Sequence, residues 1–435
     1  MTAAPAEPRA AAPGALFALL ILTLMNMLNY VDRYVPSAVK GLFKKDLDLT
    51  DTQTSLPLTA FIIVYMIASP IFGTLAERGN RRLLIAFGVA AWSLATAAAA
   101  LADTFFTFML ARAAVGIGEA AYATLAPSVL ADFYPPERRN RVFTLFYVAI
   151  PVGSAIGFAL GGVLGEHYGW RTAFLAVGLP GLLVAALALL MKDPVRGAFD
   201  EKPAEVISWP QALRSLAKNR VFLFTVGGYT LVTFATGGIA DWFAEFLSRS
   251  RGMTLSEADY AIGASAVLGG LLGTSAGGFL ADRLGRRTRQ PYLAISGVAM
   301  IPAVILTVLA IFVVRQPAFI VGCVLFAQFF LWAYNSPVNA LLVNSVEPGL
   351  RARAFGLSIL CIHLFGDVLS PPLIGAVSDA TGSLEQALIM VPVAIAAGGL
   401  IWIIGWRTLP DDPPSRRESA DRLSPAVETP PPASA

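Results

Sequence analysis

The sequence predicts an all-α polytopic membrane protein: twelve transmembrane helices in two pseudo-symmetric six-helix bundles. Three observations predict it. The composition is too apolar for a water-exposed surface, twelve apolar runs have spanning length, and the two halves repeat one loop pattern. Of 435 residues, 56% are hydrophobic and 14% charged, and the mean hydropathy is +0.65. A soluble chain of this size carries about 25% charged residues. That composition argues against a soluble enzyme, a nucleic-acid-binding protein and a disordered chain. Cys323 and Cys361 both lie in apolar runs and read as buried free thiols, not as a disulfide framework or metal site.

Crossing the hydrocarbon as a helix takes about 20 apolar residues. Such runs occupy, as spans 1 to 12, about 15–39, 53–76, 82–101, 104–132, 141–165, 171–191, 220–248, 258–282, 290–314, 317–345, 353–376 and 385–406. Residues 1–14 are expected to be a disordered tail; they lack the marks of a cleaved signal, so span 1 is expected to be retained. Spans 1–6 make one bundle, 15–191, and spans 7–12 a second, 220–406. The long connection 192–219 joins them. Within it Trp209, Leu213 and Leu216 share a face away from Arg214 and Lys218, which predicts an amphipathic helix on the membrane surface. Residues 407–435 are Pro-, Ser- and charge-rich and are expected to be a disordered tail.

Charge predicts the orientation. With the N-terminus inside, the inside loops hold 18 Lys and Arg, among them Arg78, Arg81, Arg82, Arg138, Arg139, Arg141, Arg283, Arg286, Arg287, Arg351 and Arg353. The outside loops hold 7: Lys40, Lys44, Lys45, Arg171, Arg249, Arg251 and Arg315. The positive-inside rule then places both termini in the cytoplasm. The inner cell membrane is the expected location.

The halves repeat. Gly73-Thr74-Leu75-Ala76-Glu77-Arg78-Gly79-Asn80-Arg81-Arg82 follows span 2, and Gly278-Phe279-Leu280-Ala281-Asp282-Arg283-Leu284-Gly285-Arg286-Arg287 follows span 8, an offset of 205. Helix starts at Leu49-Thr50-Asp51 and Leu255-Ser256-Glu257 match at offset 206. Arg139-Asn140-Arg141-Val142-Phe143 and Arg351-Ala352-Arg353-Ala354-Phe355 match at offset 212. A duplicated six-helix unit with a site between its halves is a transporter architecture.

The loop pattern resembles the cytoplasmic signature of the major facilitator superfamily. The second copy matches throughout; in the first, Glu77 replaces Asp, and Asn80 stands where Gly is usual. The resemblance covers about residues 15–406 and implies the major facilitator fold. It also implies a conformational latch, built here from Gly73, Glu77, Arg78, Arg82, Gly278, Asp282, Arg283 and Arg287, whose acids hold an outward-open state. Within the superfamily, Asn29-Tyr30-Val31-Asp32-Arg33, Arg112-Ala113-Ala114-Val115-Gly116-Ile117-Gly118-Glu119-Ala120 and Tyr134-Pro135-Pro136-Glu137-Arg138-Arg139 resemble the spinster family of lipid transporters. That implies an amphiphilic anionic substrate, such as a lysophospholipid or a sphingosine-phosphate-like lipid.

Charges within spans are costly and therefore informative. Arg112 and Glu119, seven apart on span 4, lie within about 20° of one face and about 10 Å apart along the axis. That suits two stations on one cavity wall, with Gly116 between them leaving the wall open. On span 1, Asn26, Asn29, Tyr30 and Arg33 share a face, with Asp32 at its edge. The resemblance implies that spans 1 and 4 line a central cavity, so Asp32, Arg112 and Glu119 are expected to share one polar network. Burial favours a protonated carboxylate and a nearby arginine the ionised one. Glu119 and Asp32 are therefore expected to carry protons, with Arg112 as the switchable counter-ion; the alternative is a fixed structural ion pair.

Further candidates line the second bundle. His363 and Asp367 are four apart on span 11 and form either a proton relay or a packed polar pair. Trp332, Asn335, Ser336 and Asn339 on span 10 either line the cavity or bond between helices. Asp241 and Glu245 lie near the outer end of span 7 and are expected to be solvated. Gly153, Gly157, Gly161 and Gly165 form a ridge on span 5 that reads as a packing and rocking surface, while Pro151, Pro371 and Pro372 are placed to kink spans 5 and 11. No catalytic spacing, metal cluster or Walker-type loop occurs, so no enzyme, cofactor or ATP-driven pump is expected. The expectation is a monomeric secondary transporter driven by the proton gradient, its partners its substrate and membrane lipids. The alternative on the same fold is an exporter of drugs or small organic anions.

Overall fold

The computed structural model describes residues 10–196, 198, 208–284, 290–346 and 350–409. Among them, twelve helices are long and apolar enough to cross a membrane. They are Ala15–Ala38, Asp51–Ala76, Arg81–Ala99, Phe105–Phe133, Arg141–Tyr168, Trp170–Ala188, Arg220–Arg251, Leu255–Ala281, Pro291–Val313, Pro317–Leu342, Arg353–Thr381 and Leu384–Thr408, spans 1 to 12. The expected tail 1–14 is corrected at its end: Ala12 N donates to the Phe133 carbonyl at 2.8 Å, and Ala11 and Ala12 pack on the first bundle; residues 1–9 and 410–435 lie outside the described residues.

The packing is pseudo-symmetric. In the first bundle span 1 packs on span 5, span 2 on span 4, and span 3 on spans 4 and 6. In the second, span 7 packs on span 11, span 8 on span 10, and span 9 on spans 10 and 12. Spans 5 with 8 and 2 with 11 join the bundles. Each bundle has its own apolar core.

Local chemistry explains the helix ends. Thr50 Oγ1 accepts from Gln53 N, and Gln53 Oε1 accepts from Thr50 N, which closes a capping box on span 2. Thr254 and Glu257 do the same for span 8. These caps set the repeat offset there at 204, two shorter than side-chain likeness predicts. Asn80 accepts from Leu83 N at 3.2 Å and caps span 3. That accounts physically for its departure from the loop pattern: asparagine caps a helix well.

The glycine ridge packs span 5 onto span 1. A Cβ on Gly157 would stand 2.7 Å from the Val31 carbonyl oxygen, and one on Gly161 2.5 Å from Ala38 Cβ. The ridge thus faces its own bundle; the face of span 5 that meets span 8 carries Ala155, Phe158 and Gly162. Gly116 corrects an expectation. It does not open a cavity wall, because Phe61 and Tyr65 of span 2 press their backbone against it.

Proline shapes spans 10 and 11. Pro337 cannot donate to Ala333, and span 10 breaks at Ala333–Tyr334. Span 11 runs as a π-turn over His363–Asp367 and restarts as an α-helix at Ser370, with Pro371 and Pro372 in its first turn. Pro372 leaves the Val368 carbonyl unpaired within the helix. Thr59 of span 2 donates to it at 3.0 Å. The connection contains the surface helix Trp209–Lys218, which buries Ala212 and Leu216 and leaves Trp209 and Leu213 exposed. The buried side leans on spans 7 and 11, and the Trp209 and Leu213 side stays exposed. Cys323 and Cys361 are free and half-buried, not fully buried.

Candidate transport site and gate

The four charges of spans 1 and 4 form two pairs: Asp32 meets Arg112 as expected, but Glu119 meets Arg33. Arg112 donates to Asp32 at 3.1 Å, and Thr96 of span 3 donates to the other Asp32 oxygen at 2.5 Å. Arg33 donates to Glu119 at 2.6 Å. The expected counter-ion of Glu119 is therefore replaced by Arg33. The reason is geometric: seven residues along span 4 put Arg112 a full two turns from Glu119, while span 1 delivers Asp32 and Arg33 side by side to the two levels. Phe61 lies beneath both guanidinium groups, 5.1 Å from Arg33 and 5.9 Å from Arg112. Tyr30 and Tyr65 complete an aromatic collar around Arg33 at 5.0 and 5.5 Å.

Exposure separates the two partners. The Glu119 side chain is 0% exposed and the Arg33 side chain 23%. Arg33 is thus the more exposed member of the pair. Glu119 Oε1 has no hydrogen-bond partner among the described residues.

Other expected cavity residues divide. Asn26 is buried and donates to the Phe146 carbonyl of span 5 at 2.9 Å, so it ties two helices and does not line the cavity. Asn29 is buried too, with Nδ2 unpaired. Asn335 lies 3.5 Å from Thr274 of span 8, and Asn339 donates back to Asn335. Trp332 donates to Gln328 and stacks along Tyr334. His363 Nδ1 sits 2.9 Å from Asp367, both partly exposed, within the π-turn.

Asp241 and Glu245 require correction. Both are buried, not solvated. Asp241 pairs with Lys40, itself buried, and accepts from Ser37 and Ser55. They belong to a gate that sequence reasoning missed. Every hydrogen bond and ion pair between the bundles for which both partners are described lies in the half of the spans remote from the arginine-rich loops. Asp51 pairs with Lys44 and Arg249 and accepts from Ser378 at 2.6 Å. Asp379 accepts from Asp51 N, Thr52 N and Thr52 Oγ1 at 2.8, 2.9 and 2.5 Å. Ser256 donates to Glu166 through N and Oγ. The molecule is closed at this end. In the gate loop, burial pulls the Lys40 ammonium below the ordinary lysine range, against the pull of Asp241. The Arg171 hydrogen bond holds the Asp46 carboxyl below its ordinary range. Asp51 and Ser256 stand in the two matched helix starts, which read as ordinary capping; the other gate residues carry no motif.

At the opposite end, Arg81 and not Arg82 forms the ionic hub. It donates to Asp132 at 2.5 Å, to Asp193 at 3.0 Å and to the Pro194 carbonyl. Arg82 donates to the Met191 carbonyl. Gly73 and Gly278 pack near Thr124 and Ser336, and Arg283 is exposed. The side chains of Glu77, Arg78 and Asp282, and the whole of Arg287, lie outside what the structure describes.

Two six-helix bundles, with buried ion pairs between their helices and a gate at one end, define a multi-pass membrane transporter. Comparison with known proteins agrees. The Major Facilitator Superfamily model matches residues 22–371. Protein spinster homolog 1 of Bos taurus is 34% identical over 82% of this chain and 72% of its own length. The Xenopus tropicalis homolog is 31% identical over 94% of this chain and 84% of its own. Protein spinster of Drosophila melanogaster is 32% identical, and the match covers 84% of this chain but only 62% of that protein. A solved bacterial homolog of the human lysosomal transporter spinster, in an inward-facing and occupied conformation, superposes with a TM-score of 0.81 at 24% identity, covering 96% of this chain and 100% of that one. The chain belongs to the spinster family of the major facilitator superfamily, and it is a transporter, not an enzyme.

Proposed function

We propose that this protein is a proton-coupled transporter of amphiphilic lipid anions, with Arg33 and Glu119 as the coupling pair. The carrying observation is the asymmetry of that pair: a partly exposed arginine bound to a fully buried carboxylate. An anionic headgroup that takes Arg33 removes the direct partner of Glu119. A bare carboxylate with no water and no partner is costly, so Glu119 then takes a proton. Headgroup and proton thus bind together, and the aromatic collar of Tyr30, Phe61 and Tyr65 offers the headgroup an apolar surround. Asp32 stays with Arg112 and Thr96 as the fixed pair.

The positive-inside charge bias supports a cytoplasmic placement for both termini and for the arginine-rich loops. The closed gate then faces outward. Transport proceeds by rocking the bundles about the span 5–8 and span 2–11 contacts.

The test is uptake of a labelled lysophospholipid into proteoliposomes under an imposed pH gradient. Wild type should respond to the gradient; Glu119→Gln should not. Full gradient-driven uptake by Glu119→Gln would remove Glu119 from the mechanism. Folded wild type that moves no lipid would favour small organic anions on the same fold.

A further inference from the structure

We propose that Asp259, in the second turn of span 8, is a separate proton-binding site that holds the gate closed. It goes beyond the transport pair: it depends on neither Glu119 nor the identity of the substrate.

Asp259 is 0% exposed. Neither carboxylate oxygen has a hydrogen-bond partner among the described residues. The group is pressed against the other bundle: a Cβ on Gly162 of span 5 would stand 2.8 Å from Oδ2 and 3.1 Å from the Asp259 Cβ. That contact leaves no space there for a basic side chain.

The surrounding charges give no relief. On span 5 the nearest titratable groups are Glu166 and the exposed His167; on span 7, Glu245; on span 8 itself, Glu257 at the surface. The basic groups nearby are engaged elsewhere. Lys40 binds Asp241, Lys44 and Arg249 bind Asp51, and Arg251 binds Glu385. Free N–H groups at the helix start are taken as well, Ser256 by Glu166 and Glu257 by Thr254. No described group of three or more His, Cys, Asp or Glu converges as a metal site.

An ionised carboxylate so placed faces the full desolvation cost with nothing to offset it. A proton removes the charge. When span 5 swings away from span 8, water reaches the carboxyl and the ionised form becomes affordable. Proton affinity is therefore higher in the closed gate than in the open one. By linkage, the proton's contribution to closure is present at low pH and is lost as pH rises through the closed-state titration.

The test uses the full chain in lipid nanodiscs, with Cys323→Ser and Cys361→Ser removing the native thiols. Spin labels at Tyr168→Cys and Gln316→Cys report the separation of the bundles at the gated end. With Asp259 intact, the open-to-closed ratio should rise with pH, by at most about tenfold per pH unit for one linked proton. Asp259→Asn, a neutral isostere of the protonated acid, should stay closed at every pH, while Glu119→Gln should keep the pH response. Asp259→Asn with an unchanged pH profile would overturn the proposal. Infrared difference spectra give a second readout. A neutral carboxylic-acid band that both Asp259→Asn and Asp259→Leu remove supports the site, and a spectrum unchanged by either variant overturns it.

Discussion

Single residues in the spans carry unusual leverage because each charge there needs a partner. Arg112→Leu leaves the buried Asp32 carboxylate with Thr96 alone. Breaking a buried pair from one side costs about 3–5 kcal/mol. The variant should show a clear fall in melting temperature in detergent, and Asp32→Asn added to it should recover much of the loss. Failure of the second change to recover stability would mean that the pair does not act as a unit. Asp32, Arg33, Arg112 and Glu119 were legible in the sequence because charges are rare in apolar runs. Their pairing was not. A helical wheel fixes directions within one helix, but the match of Arg33 to Glu119 depends on how span 1 is rotated against span 4.

Whole elements depend on small residues and on proline. Gly157→Val on the ridge should lower the melting temperature, because Val31 O and Tyr34 Cβ already lie at 2.7 and 3.1 Å from the position of a Cβ. Gly322→Ala, with nothing within 4 Å, should have little effect and serves as its control. Equal effects from the two would dismiss the ridge as a close helix contact. Thr59→Val should free the Val368 carbonyl and weaken the contact between spans 2 and 11 by about 1 kcal/mol, the usual worth of one hydrogen bond. Labels across the gate should report a larger open fraction. The spans and the glycine spacing were readable from period and length. The π-turn at His363–Asp367 was not, because it arises where Pro371 and Pro372 take donors out of the helix while span 7 packs against it.

For the whole molecule, the gate decides the conformation. Asp51 alone joins Lys44, Arg249 and Ser378. Asp51→Asn should shift the spin-label distances toward an outward-open state. Asp282→Asn, at the opposite end, should shift them toward inward-open if the loop signature acts as a latch. Two shifts of the same sign would rule out opposed latches at the two ends.

The sequence by itself determined the membrane class, the twelve spans, the duplicated halves and the charged residues worth attention. All of these follow from hydrophobic length, charge asymmetry and local spacing, which are properties of one segment at a time. Only the tertiary structure decided which arginine holds Glu119, that Asp241 and Glu245 are buried, and that the bundles close at the end remote from the arginine-rich loops. Those are contacts between segments up to 328 residues apart, such as Asp51 with Asp379. No local pattern encodes them: the gate residues look like ordinary end-of-span charges until the opposite bundle arrives, and the rotation of span 1 against span 4 selects the partner of Glu119.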